Sequence, residues 1–168
     1  LPDVRNEPLL DFASRATPSV EELIRQEVLR IRKGGPRRVV PIIAGKPEPV
    51  SSSSKRFEAR NPSNLHEVLG VVYVADGQTT SDAVLSAGGS HDAKEWAKMP
   101  LSARAPYLHS AAKILRERRM SFIARMMLDV GKSAIRADAE VCEAIDMLTH
   151  YAAYAEFLEK LGNAMLFS

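Results

Sequence analysis

"GKSAIRADAEVCEAIDMLTHYAAYAEFLEKL", residues 131–161, is the most regular stretch of the chain. Placed on a helical wheel at about 100° per residue, Ala134, Ala137, Val141, Ala144, Ile145, Leu148, Ala152 and Ala155 share one arc. That arc is a core face of small residues, suited to close packing. The opposite face is mixed and carries Glu143, Met147, His150 and Tyr154 on neighbouring turns. A helix apolar on one side and half-apolar on the other is expected to lie between two layers, with Glu143 beside a cavity. The plainer alternative is a solvated Glu143, or one paired with a nearby cation, because glutamate is rarely buried.

Upstream of this helix the pattern stays helical back to Thr79. "MSFIARMMLDVGK" reads as an amphipathic helix closed by Gly131, and "LSARAPYLHSAAKILRERR" as a helix capped by Ser102 with Pro106 near its first turn, where a missing N–H is tolerated. "TTSDAVLSAGGSHDAKEWAK" begins with hydroxyl caps, and Gly88-Gly89 predicts a helix with a weak middle, at about 1 kcal/mol per glycine. Before Thr79 the signals change to period two and turns. "EVLGVVYVA", residues 67–75, is the best strand; "RFEARNPSN" is a short strand entering an Asn-Pro turn; "RVVPIIAG", residues 38–45, is a β-rich run; and "KPEPVSSSSK" is a polar loop. "TPSVEEL" caps a first helix with Thr17 or Ser19, Glu22 completing a capping box, and "GGP" at 34–36 stops it. "NEPLLDF" is extended. The expected class is α/β, divided into an arm and helix over 1–36, a small β meander over 37–78 and helices over 79–168.

Composition excludes several functions. The 23 Lys+Arg against 21 Asp+Glu leave a formal charge of +2, too even for a dedicated nucleic-acid binder. No apolar run reaches the roughly 18 residues that span a bilayer, and the first residues lack a secretory pattern. The single cysteine, Cys142, rules out an internal disulfide framework and fits a reducing compartment. It sits between Val141 and Glu143 as an ordinary helix cysteine. Gly131-Lys132 is no phosphate loop, since Met126 stands where such a loop needs glycine. His66, His91, His109 and His150 lack ligand spacing, so no metal site is expected. "RIRKGGPRR", residues 30–38, reads as a solvated helix end.

Taken in order, "RNEPLLDF", "RNPSN" before "GVVYVAD", "EWAKMPLSARA", "AAKILRERR", "MMLDVGK" and "ADAEVCEAIDML" followed by "YAAYA" resemble the N-terminal part of the aldehyde dehydrogenase superfamily. Within it they are most similar to the L-glutamate γ-semialdehyde (1-pyrroline-5-carboxylate) dehydrogenase branch, which "NEPLLDF" separates from general aldehyde dehydrogenases. The resemblance covers residues 5–161. It implies an incomplete aldehyde-dehydrogenase-like fold and a much longer parent enzyme of proline breakdown, in some bacteria fused to a proline dehydrogenase. NAD is the implied cofactor, and the parent is implied to be a homo-oligomer in bacterial cytoplasm or mitochondrial matrix. The nucleophilic cysteine, the water-activating glutamate, the oxyanion asparagine and the dinucleotide-binding sheet of such enzymes map beyond residue 168. No catalytic or cofactor-binding residue is therefore expected here, and the chain alone is expected to bind NAD poorly and to be inactive. One substrate contact is implied: the glutamate of the "EAID"-like segment, Glu143, beside the substrate's α-amino group. Gly88-Gly89, Pro106 and the polar "SSSSK" depart from the family pattern. They leave open a second reading, a non-catalytic relative that serves as an interaction subunit.

Overall fold

The computed structural model describes residues 2, 4–51 and 53–166, with 163–166 as helical backbone only; Ser52 of the serine run and the final Phe167-Ser168 lie outside the described residues. Two compact units can be distinguished, one of residues 30–98 and 128–131, the other of residues 1–29, 99–127 and 132–168.

The first unit is built on strands. Helix α1, Val20–Lys33, belongs to it only from residue 30 onward, residues 20–29 falling in the second unit; the helix opens where Ser19 Oγ accepts from the Glu22 N–H at 3.2 Å, which is half of the expected capping box. Glu22 turns its carboxylate to Arg25 and Gln26 instead of back to Ser19. The helix ends where Gly34 and Gly35 return their N–H groups to its last turn. The run "RVVPIIAG" is broken by Pro41, which cannot donate to a ladder. It yields β1, Arg37–Val39, and β2, Ile42–Ile43. The loop expected after it begins with a strand, β3, Lys46–Pro47, which folds back on β2 through Ala44 and Gly45, both at positive φ.

Strands β4, Arg56–Asn61, and β5, Asn64–Tyr73, form the expected hairpin around Pro62-Ser63. The three-stranded sheet has the order β1-β5-β4, with β1 parallel to β5. The β region is thus a hairpin with a parallel edge strand and a separate two-stranded ribbon, not a simple meander. Gly70 permits the parallel pairing, for a Cβ there would stand 2.8 Å from the Arg37 carbonyl oxygen. Arg32 of α1 closes on Glu67 of β5 with two hydrogen bonds of 2.7 and 3.0 Å, so the basic run is not wholly solvated.

The stretch after Thr79 is two helices, α2, Gly77–Gly89, and α3, His91–Lys98. Its first cap is Asp76, which accepts from the Thr79 N–H, and not a threonine hydroxyl. The break falls at Ser90, whose hydroxyl caps α3 at the Ala93 N–H. The glycine pair weakens the helix at its end, not its middle.

In the second unit α4, Leu101–Glu117, packs along α6, Ala134–Leu166. Each buries small residues, Ala105 and Ala112 on α4 and Ala137 and Ala152 on α6, and small side chains suit close helix packing. Ser102 does not cap α4. Pro100 stands at the cap, and the Ser102 N–H is taken at 2.6 Å by Glu159 from the far end of α6. Helix α5, Arg119–Val130, buries Ile123 and Ala124, and Gly131 ends it at φ +69°. No helix among the described residues is long and apolar enough to cross a membrane.

Candidate functional site

The core arc expected on α6 is the one the fold buries, with Ala137, Val141, Ile145 and Ala152 inside. Asp138 is buried with them, 1% exposed. On the wheel it falls beside Ile145, and a carboxylate at the margin of an apolar arc signals that a cation must meet it. Arg119, 8% exposed, does so from the start of α5, with Nε 2.6 Å from Asp138 Oδ1. Burial works against the arginine's charge, but the hydrogen bond and charge of Asp138 outweigh it and raise the Arg119 pKa.

Around this pair the N-terminal segment lies extended along α6, antiparallel to it. The Glu7 N–H donates to Asp146 Oδ1 at 2.6 Å and the Leu10 N–H to Asp138 Oδ2 at 2.9 Å. Arg119 also donates to the Pro8 carbonyl at 3.0 Å, and Arg116 holds the Glu7 carboxylate at 2.7 Å. Charges in this cluster therefore pair with one another, and the extended backbone, which has no strand partner, finds its hydrogen bonds on side chains.

Cys142 sits inside the same cluster, buried, 2.8 Å from Arg119 Nη2. Burial pushes its thiol pKa up, and Arg119 offsets only part of that. A thiol so held is a poor nucleophile, in keeping with an ordinary helix cysteine.

The other face of α6 is open instead of being covered by a second layer. Between it and the N-terminal segment runs a groove of about 530 Å³ lined by Asn6, Glu7, Leu9, Glu143, Asp146, Met147, His150, Tyr151 and Tyr154 among others. Its volume lies within the range of small-ligand sites. Glu143, Met147, His150 and Tyr154, the four residues read together on the wheel, all line it. Glu143 is exposed to the groove and makes no hydrogen bond or ion pair among the described residues, whereas Glu7, Asp138, Glu140 and Glu159 are all engaged. The groove thus presents carboxylates beside aromatic and thioether surface, a lining suited to an ammonium group on a short apolar stem.

Gly131 stands against the Pro62 ring, and Lys132 is paired with Glu140 and so is not held for a phosphate. Among the described residues no group of three or more His, Cys, Asp or Glu could hold a metal ion.

The model of the aldehyde dehydrogenase family matches residues 50–165. The 1-pyrroline-5-carboxylate dehydrogenase of Geobacillus sp. strain WCH70 is 35% identical over 149 residues, an alignment that covers 88% of this chain and 27% of that protein. The protein of the same name from Bacillus subtilis strain 168 is 34% identical over 100 residues, covering 60% of this chain and 19% of its own length. The chain thus spans about a quarter or less of the curated relatives it matches. Among solved structures, proline utilization A from Bdellovibrio bacteriovorus superposes with a TM-score of 0.83 at 29% identity, over 94% of this chain and 16% of that one. The 1-pyrroline-5-carboxylate dehydrogenase from Thermus with bound NAD superposes with a TM-score of 0.76 at 29% identity, over 90% and 28%.

Proposed function

The chain belongs to the aldehyde dehydrogenase family, and from that premise we propose that it is the N-terminal portion of an NAD-dependent L-glutamate γ-semialdehyde dehydrogenase. The parent would oxidise the semialdehyde to glutamate in proline breakdown, in bacterial cytoplasm or mitochondrial matrix, as a homo-oligomer. Within it residues 1–36 serve as arm and first helix, 37–78 as the small β region and 79–168 as helices of the cofactor domain. The observation that carries this reading is the Glu143 groove, in which a carboxylate with no hydrogen bond or ion pair among the described residues faces apolar and aromatic side chains. An amino acid aldehyde offers an ammonium group that matches that carboxylate, and a simple aliphatic aldehyde does not.

The reacting groups would come from the remainder of the dehydrogenase chain, as would the surface that binds NAD. Exposed apolar side chains support such a partner. Leu85 on α2 and Tyr151 on α6 are 70% and 67% exposed, and Val84 and Met147 lie open beside them in sequence. Surface of this kind fits cover by further polypeptide.

The test is NADH formation by the full-length protein that carries this segment. The semialdehyde, supplied as its cyclic 1-pyrroline-5-carboxylate form, should be oxidised with a kcat/KM well above that for propanal. Equal or lower kcat/KM for the semialdehyde would remove the substrate assignment. The same open apolar surface favours a second reading, a non-catalytic subunit whose partner is another protein. Peptides of this segment found only in a species of 18.5 kDa would support that reading; a heavier species carrying them would support the dehydrogenase.

A further inference from the structure

Asn6, Glu7 and Leu9 line the groove beside Glu143, although residues 4–11 belong to no helix or strand. An extended segment without a ladder has many registers open to it, and a wall built from it is only as defined as its anchors. Here the anchors are two. The donors on Glu7 and Leu10 are three residues apart, about 10 Å in extended chain, and their acceptors Asp146 and Asp138 are eight residues apart, about 12 Å along a helix. Side-chain reach closes the difference, and a slip of one residue would break both bonds. Arg119 ties the same strap from below, through Asp138 and the Pro8 carbonyl.

The two aspartates differ in setting. Asp138 is part of the buried scaffold, while Asp146 is half-buried, lines the groove and commits one oxygen to the strap. We propose that Asp146 is a positioning residue that fixes the N-terminal strap as a specificity wall of the Glu143 groove, with Asn6 and Leu9 framing the ammonium-bearing end of the ligand. The proposal rests on the reading of that groove as the substrate's binding place.

The experiment uses the full-length dehydrogenase and reads the ratio of KM for the semialdehyde to KM for propanal. Asp146→Ala should raise the ratio on the order of tenfold, the scale of one hydrogen bond to a charged acceptor. Asp146→Asn, which keeps an oxygen for the Glu7 N–H and drops the charge, should restore most of the loss. A second pair leaves α6 untouched: Glu7→Ala removes the side chain, and Glu7→Pro removes the N–H as well, so the ratio should rise further in the proline variant. The proposal is overturned if Asn behaves as Ala does, or if the ratio is unmoved by Asp146→Ala and equal in the two Glu7 variants. Should Glu143→Ala raise the ratio while those changes leave it alone, the strap idea alone is lost; should Glu143→Ala also leave it unmoved, the groove assignment falls with it.

Discussion

Removing either member of the Arg119–Asp138 pair should be among the most destabilising single changes in the second unit. Asp138 is 1% exposed and accepts from Arg119 Nε at 2.6 Å and from the Leu10 N–H at 2.9 Å. Deleting one partner of a buried pair strands the other charge out of water, at a cost of about 3–5 kcal/mol. Asp138→Ala leaves Arg119 with the Glu7 carboxylate at 3.7 Å and the Pro8 carbonyl, but takes the acceptor from the Leu10 N–H, a cost of about 1–3 kcal/mol where water cannot replace the bond. Arg119→Ala leaves Asp138, 1% exposed, with the Leu10 N–H and no cation, and should lie at the upper end of the range of about 3–5 kcal/mol. The double substitution Arg119→Met with Asp138→Leu removes both charges and keeps apolar volume, so it should cost less than either single change. Urea denaturation of the wild type, Arg119→Met, Asp138→Leu and the double variant gives the coupling directly, provided that the slope of each transition is unchanged. Single changes of under about 1 kcal/mol each, or a double change equal to their sum, would refute the reasoning and make the pair no more than a surface-like contact.

Two further predictions concern the strand-based unit. Gly70→Ala places a Cβ 2.8 Å from the Arg37 carbonyl oxygen, so β1 must move off β5, and amide exchange at residues 37–39 should accelerate while the β4–β5 hairpin stays protected; unchanged protection of β1 would contradict the pairing. Glu67 is held below the usual carboxylate range first by its hydrogen bond from Arg32 and then by Asn61. A lowered folded pKa contributes stability above the unfolded value of about 4.3 and loses it as pH falls through the folded one. Glu67→Gln should therefore flatten the acid limb of a Tm against pH curve below about pH 4.5, and an unaltered limb would argue against the Arg32–Glu67 contact.

What could be read from the sequence was what depends on near neighbours along the chain. The periodicity of residues 134–155 picked out the buried arc of α6 and the four groove residues Glu143, Met147, His150 and Tyr154, because side chains three and four apart share a helix face. The β4–β5 hairpin was legible for the same reason, a strong turn between two β-rich runs. Features made by distant residues were not. The acceptor for the Ser102 N–H in the first turn of α4 is Glu159, 57 residues further on, and no local propensity marks it. The parallel pairing of β1 with β5 skips over a ribbon and β4, which a local pattern reads as a meander. The hold of Asp138 and Asp146 on the N-terminal strap spans 128 and 139 residues; its one local sign was a charged residue at the edge of an apolar arc. Gly88-Gly89 misled about position, since a serine immediately after them supplied the next cap.

The central claim is that the Glu143 carboxylate recognises the substrate's ammonium group, and steady-state kinetics of Glu143→Ala in the full-length dehydrogenase tests it most directly. The account predicts a KM for the semialdehyde raised on the order of tenfold or more, as expected for a charge-assisted contact, with the KM for propanal changed far less. Equal effects on the two substrates, or none on either, would contradict it.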